Sequence, residues 1–250
     1  MHRIARSLLL ALCCATSLSA HAAQPVTMMT NAWPPYVDAQ LPDQGLAVEL
    51  VTHIFKRAGF PVENTVESWP RAMEGVRIGL YDVLGAAWYD EQRAEDFIYS
   101  EPYLVNELIV VKRRDLPGRF DSLGALHGAR LGLAPDYAYG VALEELPGVK
   151  VVYENHIIQN LLNLLNGKVD FVVGDRRVIA LQLDEYVRDR RHEVEVTGIS
   201  LPPRALYVAG SRSSERPAGL IEAFNTALQE VRDDGSYQAI IDKWRQRYPF

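Results

Sequence analysis

The sequence predicts an α/β protein made of two lobes of related construction. A predicted helix at 157–166 is followed by Gly167, Asp170 and a buried strand. An earlier part of the chain has the same order, in which an apolar helical segment leads to Gly79, Asp82 and a buried strand. Glycine commonly ends helices, and a short apolar run is typical of a buried strand. A recurring helix-to-strand unit favours two similar lobes over one continuous barrel.

The N-terminal residues 1–22 have the three parts of a secretory signal peptide. Arg3 and Arg6 give a basic start, residues 8–18 are apolar, and Ala20-His21-Ala22 forms a small-x-small cleavage site. The apolar stretch is too short to remain as a membrane-spanning helix. We therefore expect removal of residues 1–22 and export of the chain to the periplasm.

Composition excludes several classes of partner. Cys13 and Cys14 both lie in the predicted signal peptide, and neither follows a small residue as lipidation requires, so the mature chain has no thiol or disulfide. Loss of Arg3 and Arg6 lowers Lys+Arg from 26 to 24 against 32 Asp+Glu, which takes the net charge from −6 to −8. An acidic surface argues against nucleic acid and anionic membranes as partners.

The first lobe is predicted to begin with a strand at 26–29. Pro34 and Pro35 then end strand pairing and force an extended loop. An amphipathic helix at 45–59 follows, and a short strand at 61–66 comes after it. The buried side of this helix is formed by Leu46, Leu50, Ile54 and Ala58. His53 lies in the same helix without a second ligand at metal-binding spacing, so we predict no metal and no cofactor.

Residues 69–103 predict one half of a small-molecule site. A helical apolar set (Met73, Val76, Ile78 and Leu80) precedes a strand that ends in Gly85, Ala86 and Ala87. Ligands of α/β sheets bind beyond the carboxyl ends of the strands, where small residues leave backbone amides uncovered. Arg93 follows, and its planar guanidinium matches the two oxygens of a carboxylate. The segment therefore predicts an anion-binding site.

The rest of the chain predicts a second lobe and a return to the first. The strand at 107–112 is interpreted as the first crossing, and residues 194–199 with 205–209 as the return. Between them come strands at 129–133, 149–153 and 171–175 and a charged, solvated segment at 184–193. The C-terminal part predicts two helices, at 217–231 and 238–247, with Trp244 in the core.

The segment 69–103 resembles the family of periplasmic solute-binding proteins for polar amino acids, which are the binding components of ABC importers. The resemblance rests on Gly79-x-x-Asp82 before a strand, then Arg93, then Tyr99-Ser100-Glu101-Pro102-Tyr103, and it extends from near residue 25 to the C-terminus. It implies a venus-flytrap fold with two hinge strands. Residues 23–112 and 205–250 would form the first lobe, and residues 113–204 the second. It also implies a monomer that delivers a ligand to an inner-membrane permease.

The resemblance also implies roles for first-lobe residues. Trp33 and Trp69 would lay aromatic rings along the ligand, and Tyr36 would either join them or pack under its loop. Arg93 and the backbone amides of Gly85, Ala86 and Ala87 would hold a carboxylate. Arg71 would be either a second positive group for a multiply anionic ligand or a solvated surface arginine.

In the second lobe, the resemblance implies that Asp175 binds the ammonium group of the ligand. Asp175 could also cap the helix that begins at Arg176, and one carboxylate could do both. Two positions depart from the family pattern. Pro135-Asp136-Tyr137 replaces a Gly-Ser/Thr pair, which removes an amide donor and adds a negative charge. Trp88 replaces a Ser or Thr that contacts the ammonium group. Asp136 and Tyr137 remain ligand-binding candidates.

These observations predict a protein that captures a small carboxylate-bearing solute, an amino acid or a related compound, by closing its lobes. Two other classes remain open. A periplasmic dehydratase of prephenate-like acids would need a general acid in the cleft, for which Asp136 and Glu101 are candidates. A His or Cys at a strand end would indicate catalysis, and the sequence predicts none there. We therefore predict that the chain is not an enzyme. A receptor for a membrane-bound sensor would use the same site as a transport protein.

Overall fold

A computed structural model describes residues 24–248, so the predicted signal peptide lies outside the described residues. The described residues form two lobes, each built on its own sheet, and the predicted two-lobed α/β fold is confirmed. The strands are β1 Val26–Thr30, β2 Val62–Val66, β3 Val83–Trp88, β4 Phe97–Tyr99, β5 Leu104–Asn106, β6 Leu108–Arg113, β7 Arg130–Leu133, β8 Lys150–Tyr153, β9 Phe171–Asp175, β10 Val194–Val196 and β11 Arg204–Ser211. The α-helices are α1 Leu46–Arg57, α2 Trp69–Arg77, α3 Ile157–Leu165, α4 Arg176–Tyr186, α5 Arg216–Asp233 and α6 Ser236–Arg247.

The first sheet has the strand order β2-β1-β3-β11-β4, and β5 also pairs with β11. Strands β1, β2 and β3 are parallel, whereas β11 runs antiparallel to β3, β4 and β5. The apolar side of α1 packs towards α5, where the rings of Phe55 and Phe224 lie 5.0 Å apart. Trp244 of α6 is buried, as predicted, and its indole N–H donates to Glu49. The parallel strands place their carboxyl ends at one edge of the lobe.

The second sheet has the strand order β10-β6-β9-β7-β8. Strand β7 is parallel to β8 and β9, and β6 is antiparallel to β9 and β10. Helices α3 and α4 bury their apolar sides in a core that includes Leu161, Leu164, Val172 and Ile179. The carboxyl ends of β7, β8 and β9 therefore meet at one edge of this lobe, as those of β1 and β3 do in the first.

The chain changes sheets twice. Strand β5 pairs in the first sheet and β6 in the second, so the first change falls at Glu107. The predicted boundary at Lys112 lies further on, inside β6, because a β-prone run does not reveal which sheet it joins. The return falls between β10 and β11, next to the predicted boundary at 204–205. None of the helices in residues 24–248 has the length and apolar character needed to cross a bilayer.

Three local predictions differ from the structure. The loop after β1 is compact, because Trp33 and Val37 form an isolated bridge with backbone hydrogen bonds of 2.8 and 3.0 Å. Helix α2 ends at Arg77, so Ile78 and Leu80 lie beyond it and are exposed. The position of Asp82 between Gly79 and a strand predicts that it caps this turn, but its carboxylate accepts hydrogen bonds from the backbone N–H and hydroxyl of Thr27 instead. Helix termination near Gly79 agrees with the prediction, since its φ is 76°.

Candidate functional site

A cavity of about 710 Å³ lies between the two lobes. The first lobe contributes the loop after β1, the start of α2, the end of β3 and Arg93. The second lobe contributes the loop after β7 and the residues that precede α3. Both sets lie at carboxyl ends of parallel strands, which is where open α/β sheets bind ligands. The size is typical of a small-molecule site.

Aromatic rings form one wall of this cavity. Trp33, Trp88 and Tyr137 pack edge to face, with ring centroids 5.4 Å apart for Trp33–Trp88, 5.2 Å for Trp88–Tyr137 and 6.3 Å for Trp33–Tyr137. The indole N–H of Trp88 donates to Asn106 Oδ1 at 2.9 Å, which fixes the ring. Edge-to-face pairs contribute about 0.5–1.5 kcal/mol beyond their buried area. Because Trp33 and Trp88 belong to the first lobe and Tyr137 to the second, these contacts also join the lobes.

Arg93 places a positive charge beside this aromatic wall. Its guanidinium carbon lies 5.2 Å from the centroid of the Trp69 ring, a cation–π distance. The same guanidinium donates to the backbone carbonyl oxygen of Asp136 in the second lobe. Its backbone N–H donates to Asp90 Oδ1 at 3.1 Å, which holds the short turn that presents the side chain. A guanidinium carries five donors, so one bond to a carbonyl leaves others for a ligand.

Asp175 is buried and is bonded within the protein. Its carboxylate accepts from the Tyr36 hydroxyl at 3.0 Å to each oxygen and from Asn106 Nδ2 at 3.0 Å. It also accepts from the backbone N–H groups of Arg177 and Val178, so the predicted role as the N-cap of α4 is confirmed. Burial raises the pKa of Asp175 above its ordinary value, while the hydrogen bonds to its carboxylate oppose that rise. Burial and the nearby Asp175 charge raise the pKa of Tyr36.

The other predicted first-lobe residues divide between the cavity and its surroundings. Ala86 lines the cavity together with Trp88, since alternate residues of a strand share a face. Ala87 packs on the other side of β3 in a cluster that includes Ala72. The backbone of Gly85 lies against Met28, and its carbonyl accepts from Tyr103. The side chain of Arg71 is 77 % exposed and pairs at 3.5 Å with Glu67.

The two candidates for a general acid lie in different places. Asp136 lines the cavity in a left-handed conformation, with φ at 59°, and its side chain is on the exposed rim. Glu101 is exposed elsewhere on the first lobe, where its backbone N–H donates to Asn225. Among residues 24–248, no group of three or more His, Cys, Asp or Glu side chains is arranged to hold a metal ion.

Several cavity residues were not among the predicted ligand contacts. These residues include Trp88, which the sequence marks only as a departure from the family pattern, and Asn155 and His156, which belong to no predicted motif. Asn155 and His156 follow closely after β8, so the rule that ligands bind at carboxyl ends of strands could have identified them. Asn106 supports the site through Trp88 and Asp175, and the sequence has no signal for such a long-range contact.

Three similar proteins place the chain among known folds. It is 24% identical over 247 residues to the putative ABC transporter arginine-binding protein 2 of Escherichia coli (strain K12), covering 96% of this chain and 98% of that protein. A solved structure of an ancestral arginine-binding protein bound to arginine matches with a TM-score of 0.75 and 24% identity, over 90% of this chain and 99% of that one. A histidine kinase sensor domain similar to periplasmic binding proteins matches with a TM-score of 0.77 and 22% identity, over 88% of this chain and 96% of that one.

The family model for bacterial extracellular solute-binding proteins, family 3, matches residues 26–247, which is nearly all of the described structure. The two sheets, the paired crossings between them and the cavity at their strand ends are the architecture of periplasmic binding proteins. The chain therefore belongs to family 3 of the bacterial extracellular solute-binding proteins.

Proposed function

We propose that this chain captures a small carboxylate-bearing solute, an amino acid or a closely related compound, in the cavity between its lobes. The observation that carries the proposal is Arg93, whose guanidinium lies in a cavity walled by aromatic rings. A guanidinium binds a carboxylate through two parallel hydrogen bonds, and the rings cover the apolar part of a ligand. The similarity to proteins named for arginine binding supports an amino acid or a relative as the ligand class.

In this proposal, capture begins on the first lobe and ends with closure of the second. Arg93 takes the carboxylate, and Trp33 and Trp69 flank the body of the ligand. Because Arg93 also contacts the Asp136 carbonyl, a carboxylate held there lies within reach of both lobes. A ligand that contacts both lobes binds the closed form more tightly and shifts an existing open–closed equilibrium towards it.

A thermal-shift screen of residues 23–250 tests this function directly. The screen covers amino acids, small carboxylic acids, polyamines and aromatic acids. A ligand at a hundred times its dissociation constant stabilises the folded state by ~2.7 kcal/mol, which gives a clear rise in Tm. We expect a carboxylate to raise the Tm of the wild type and Arg93→Ala to abolish that rise.

Arg119→Ala is the matched control, because it removes the same charge from a side chain that is 90% exposed and pairs with Asp121. It should keep the ligand-induced rise in Tm. The proposal is contradicted if no carboxylate raises the Tm, or if Arg93→Ala responds as the wild type does.

We also propose that the mature protein works in the periplasm and delivers its ligand to the permease of an ABC importer. The predicted cleavage site and the ABC-transporter relatives support this assignment. Mass spectrometry of exported protein should find an N-terminus at Ala23. Crosslinking to solubilised inner membranes should recover a permease, and more of it with ligand than without. Recovery of a membrane sensor kinase instead would support the receptor function.

A further inference from the structure

The acceptor expected to hold a ligand's ammonium group is occupied by the protein itself. The carboxylate of Asp175 accepts hydrogen bonds from Tyr36, Asn106 and two backbone N–H groups at the start of α4. These bonds use the acceptor capacity of both oxygens. Asp175 is only 2% exposed, and neither it nor its fully buried partner Tyr36 lines the cavity. An ammonium group could reach Asp175 only by displacing this network.

Among the described residues, the lining of the cavity has no buried carboxylate for an ammonium group, and its neutral side-chain acceptors Asn31, Ser68 and Asn155 are exposed or partly exposed. Ala86 and Trp88 line it at the end of β3 and carry no hydroxyl group. Its carboxylates, Glu67 and Asp136, belong to exposed residues at the rim, and Glu67 pairs with Arg71. The Trp69 ring could attract a cation, but the Arg93 guanidinium already lies over it. An ammonium group buried without an anionic partner is strongly disfavoured.

The remaining groups suit an anion with an apolar body. Arg93 supplies the positive charge, and three edge-to-face rings supply the apolar wall. The cavity therefore combines the cationic donor Arg93 with apolar surface, and the carboxylates that line it, Glu67 and Asp136, belong to exposed residues.

We propose that the ligand is a carboxylic acid without an α-ammonium group, with an aromatic or branched apolar body. This proposal rests on the proposed capture of a carboxylate by Arg93 and narrows its ligand class. Asp175 then serves as a positioning residue that joins α4 to Tyr36 and Asn106, and Trp88 fills the space that an ammonium group would need.

Matched pairs of compounds test the proposal on the wild-type protein. Each pair is an amino acid and the same acid without its amino group: L-phenylalanine with 3-phenylpropanoate, L-leucine with 4-methylpentanoate, and L-arginine with 5-guanidinopentanoate. Isothermal titration calorimetry at one pH gives both dissociation constants. We expect the deaminated acid to bind at least tenfold more tightly in the phenyl or the branched pair, and Arg93→Ala to abolish that binding.

The outcomes separate the two proposals. If an amino acid binds as tightly as its deaminated partner, or more tightly, and Arg93→Ala abolishes binding, capture of a carboxylate stands and the ligand class proposed here is wrong. If an acid binds equally well to wild type and Arg93→Ala, the role of Arg93 fails and both proposals fall. If neither member of any pair binds, the ligand class proposed here is wrong, and the wider thermal-shift screen decides whether the protein captures another carboxylate.

Discussion

At the scale of single residues, Gly85 shows how closely β3 packs against its neighbour. A Cβ atom at Gly85 would lie 2.4 Å from Met28 Sδ, 2.9 Å from Met28 Cγ and 3.0 Å from Thr30 Cγ2. Met28 is fully buried, so it has little room to move. Overpacking of this kind costs about 1–3 kcal/mol. We expect Gly85→Ala to lower the free energy of unfolding by about that amount in urea titrations.

Gly219→Ala is the control for this prediction. Gly219 lies in α5, and apart from the backbone of its own helix no atom lies within 4 Å of the position that a Cβ would take. Alanine favours a helix interior over glycine by about 1 kcal/mol, so this variant should be slightly more stable than the wild type. Equal stability of Gly85→Ala and the wild type would show that β1 yields to the added methyl group.

Gly85 also shows where sequence reasoning stops at this scale. Small residues after Val83 and Leu84 indicated the end of a strand, but β3 continues to Trp88. Side chains alternate between the two faces of a strand. The residues that reach the cavity therefore depend on how far the strand continues. Trp33, Trp69, Arg93 and Asp136 were predictable as cavity residues because they belong to connections at strand ends.

At the scale of elements, the two Gly-x-x-Asp units have the same structural role. The carboxylate of Asp82 accepts from the backbone N–H of Thr27 in β1, and that of Asp170 accepts from the backbone N–H of Arg130 in β7. Each aspartate therefore ties the start of its own strand to the neighbouring parallel strand. An arginine side chain completes each site, Arg216 at Asp82 and Arg130 at Asp170. The repeated sequence pattern predicted the repeated helix-to-strand unit, because all residues of that unit lie close together along the chain.

Asp170→Asn should reduce stability in a pH-dependent way. The hydrogen bond from Arg130 holds the pKa of Asp170 below its ordinary value. The charged carboxylate thus stabilises the folded protein above the unfolded pKa of ~3.9, and this contribution is lost as the pH falls through the lower folded pKa. Because both side chains are partly exposed, we expect a loss of about 1 kcal/mol at pH 7. The difference from wild type should shrink below pH ~4.

Thermal unfolding at a series of pH values measures this difference. Asp115→Asn is the control, because its carboxylate pairs with the side chain of Arg113 from a side chain that is 76% exposed, whereas Asp170 also accepts from a strand's backbone N–H. It should stay within about 0.5 kcal/mol of the wild type at every pH. A constant difference for Asp170→Asn across the pH range would contradict the role of its charge.

At the scale of the whole molecule, a buried polar network joins the lobes close to the first change of sheet. Tyr36 and Asn106 belong to the first lobe and Asp175 to the second, and the three side chains share hydrogen bonds of 3.0 Å. The Tyr36 hydroxyl also accepts from Arg177 at 3.2 Å. The sequence could indicate two lobes and their order, but not this network, because its members lie far apart along the chain.

Tyr36→Phe should weaken the contact between the lobes without removing a ring from the core. The variant removes one hydroxyl, and the buried Asp175 carboxylate loses its bonds to it, which costs about 1–3 kcal/mol of unfolding free energy. The Tyr36 hydroxyl and the Asp175 carboxylate lie in different lobes. The variant should therefore also destabilise the closed arrangement of the lobes relative to an open one. We expect a lower Tm, a larger radius of gyration by small-angle X-ray scattering, and faster hydrogen exchange near Asn106 and at the start of α4.

Tyr153→Phe provides the matched control for this last prediction. It also removes a phenol hydroxyl, but Tyr153 is half exposed, and its hydroxyl donates to Glu144 of the same lobe at 3.2 Å. Its radius of gyration should equal that of the wild type. If Tyr36→Phe lowers the Tm but leaves the radius of gyration and the exchange near Asn106 unchanged, the network stabilises the lobes without controlling their closure. If all three change together, the polar network beneath the aromatic wall sets the open–closed equilibrium that a ligand must shift.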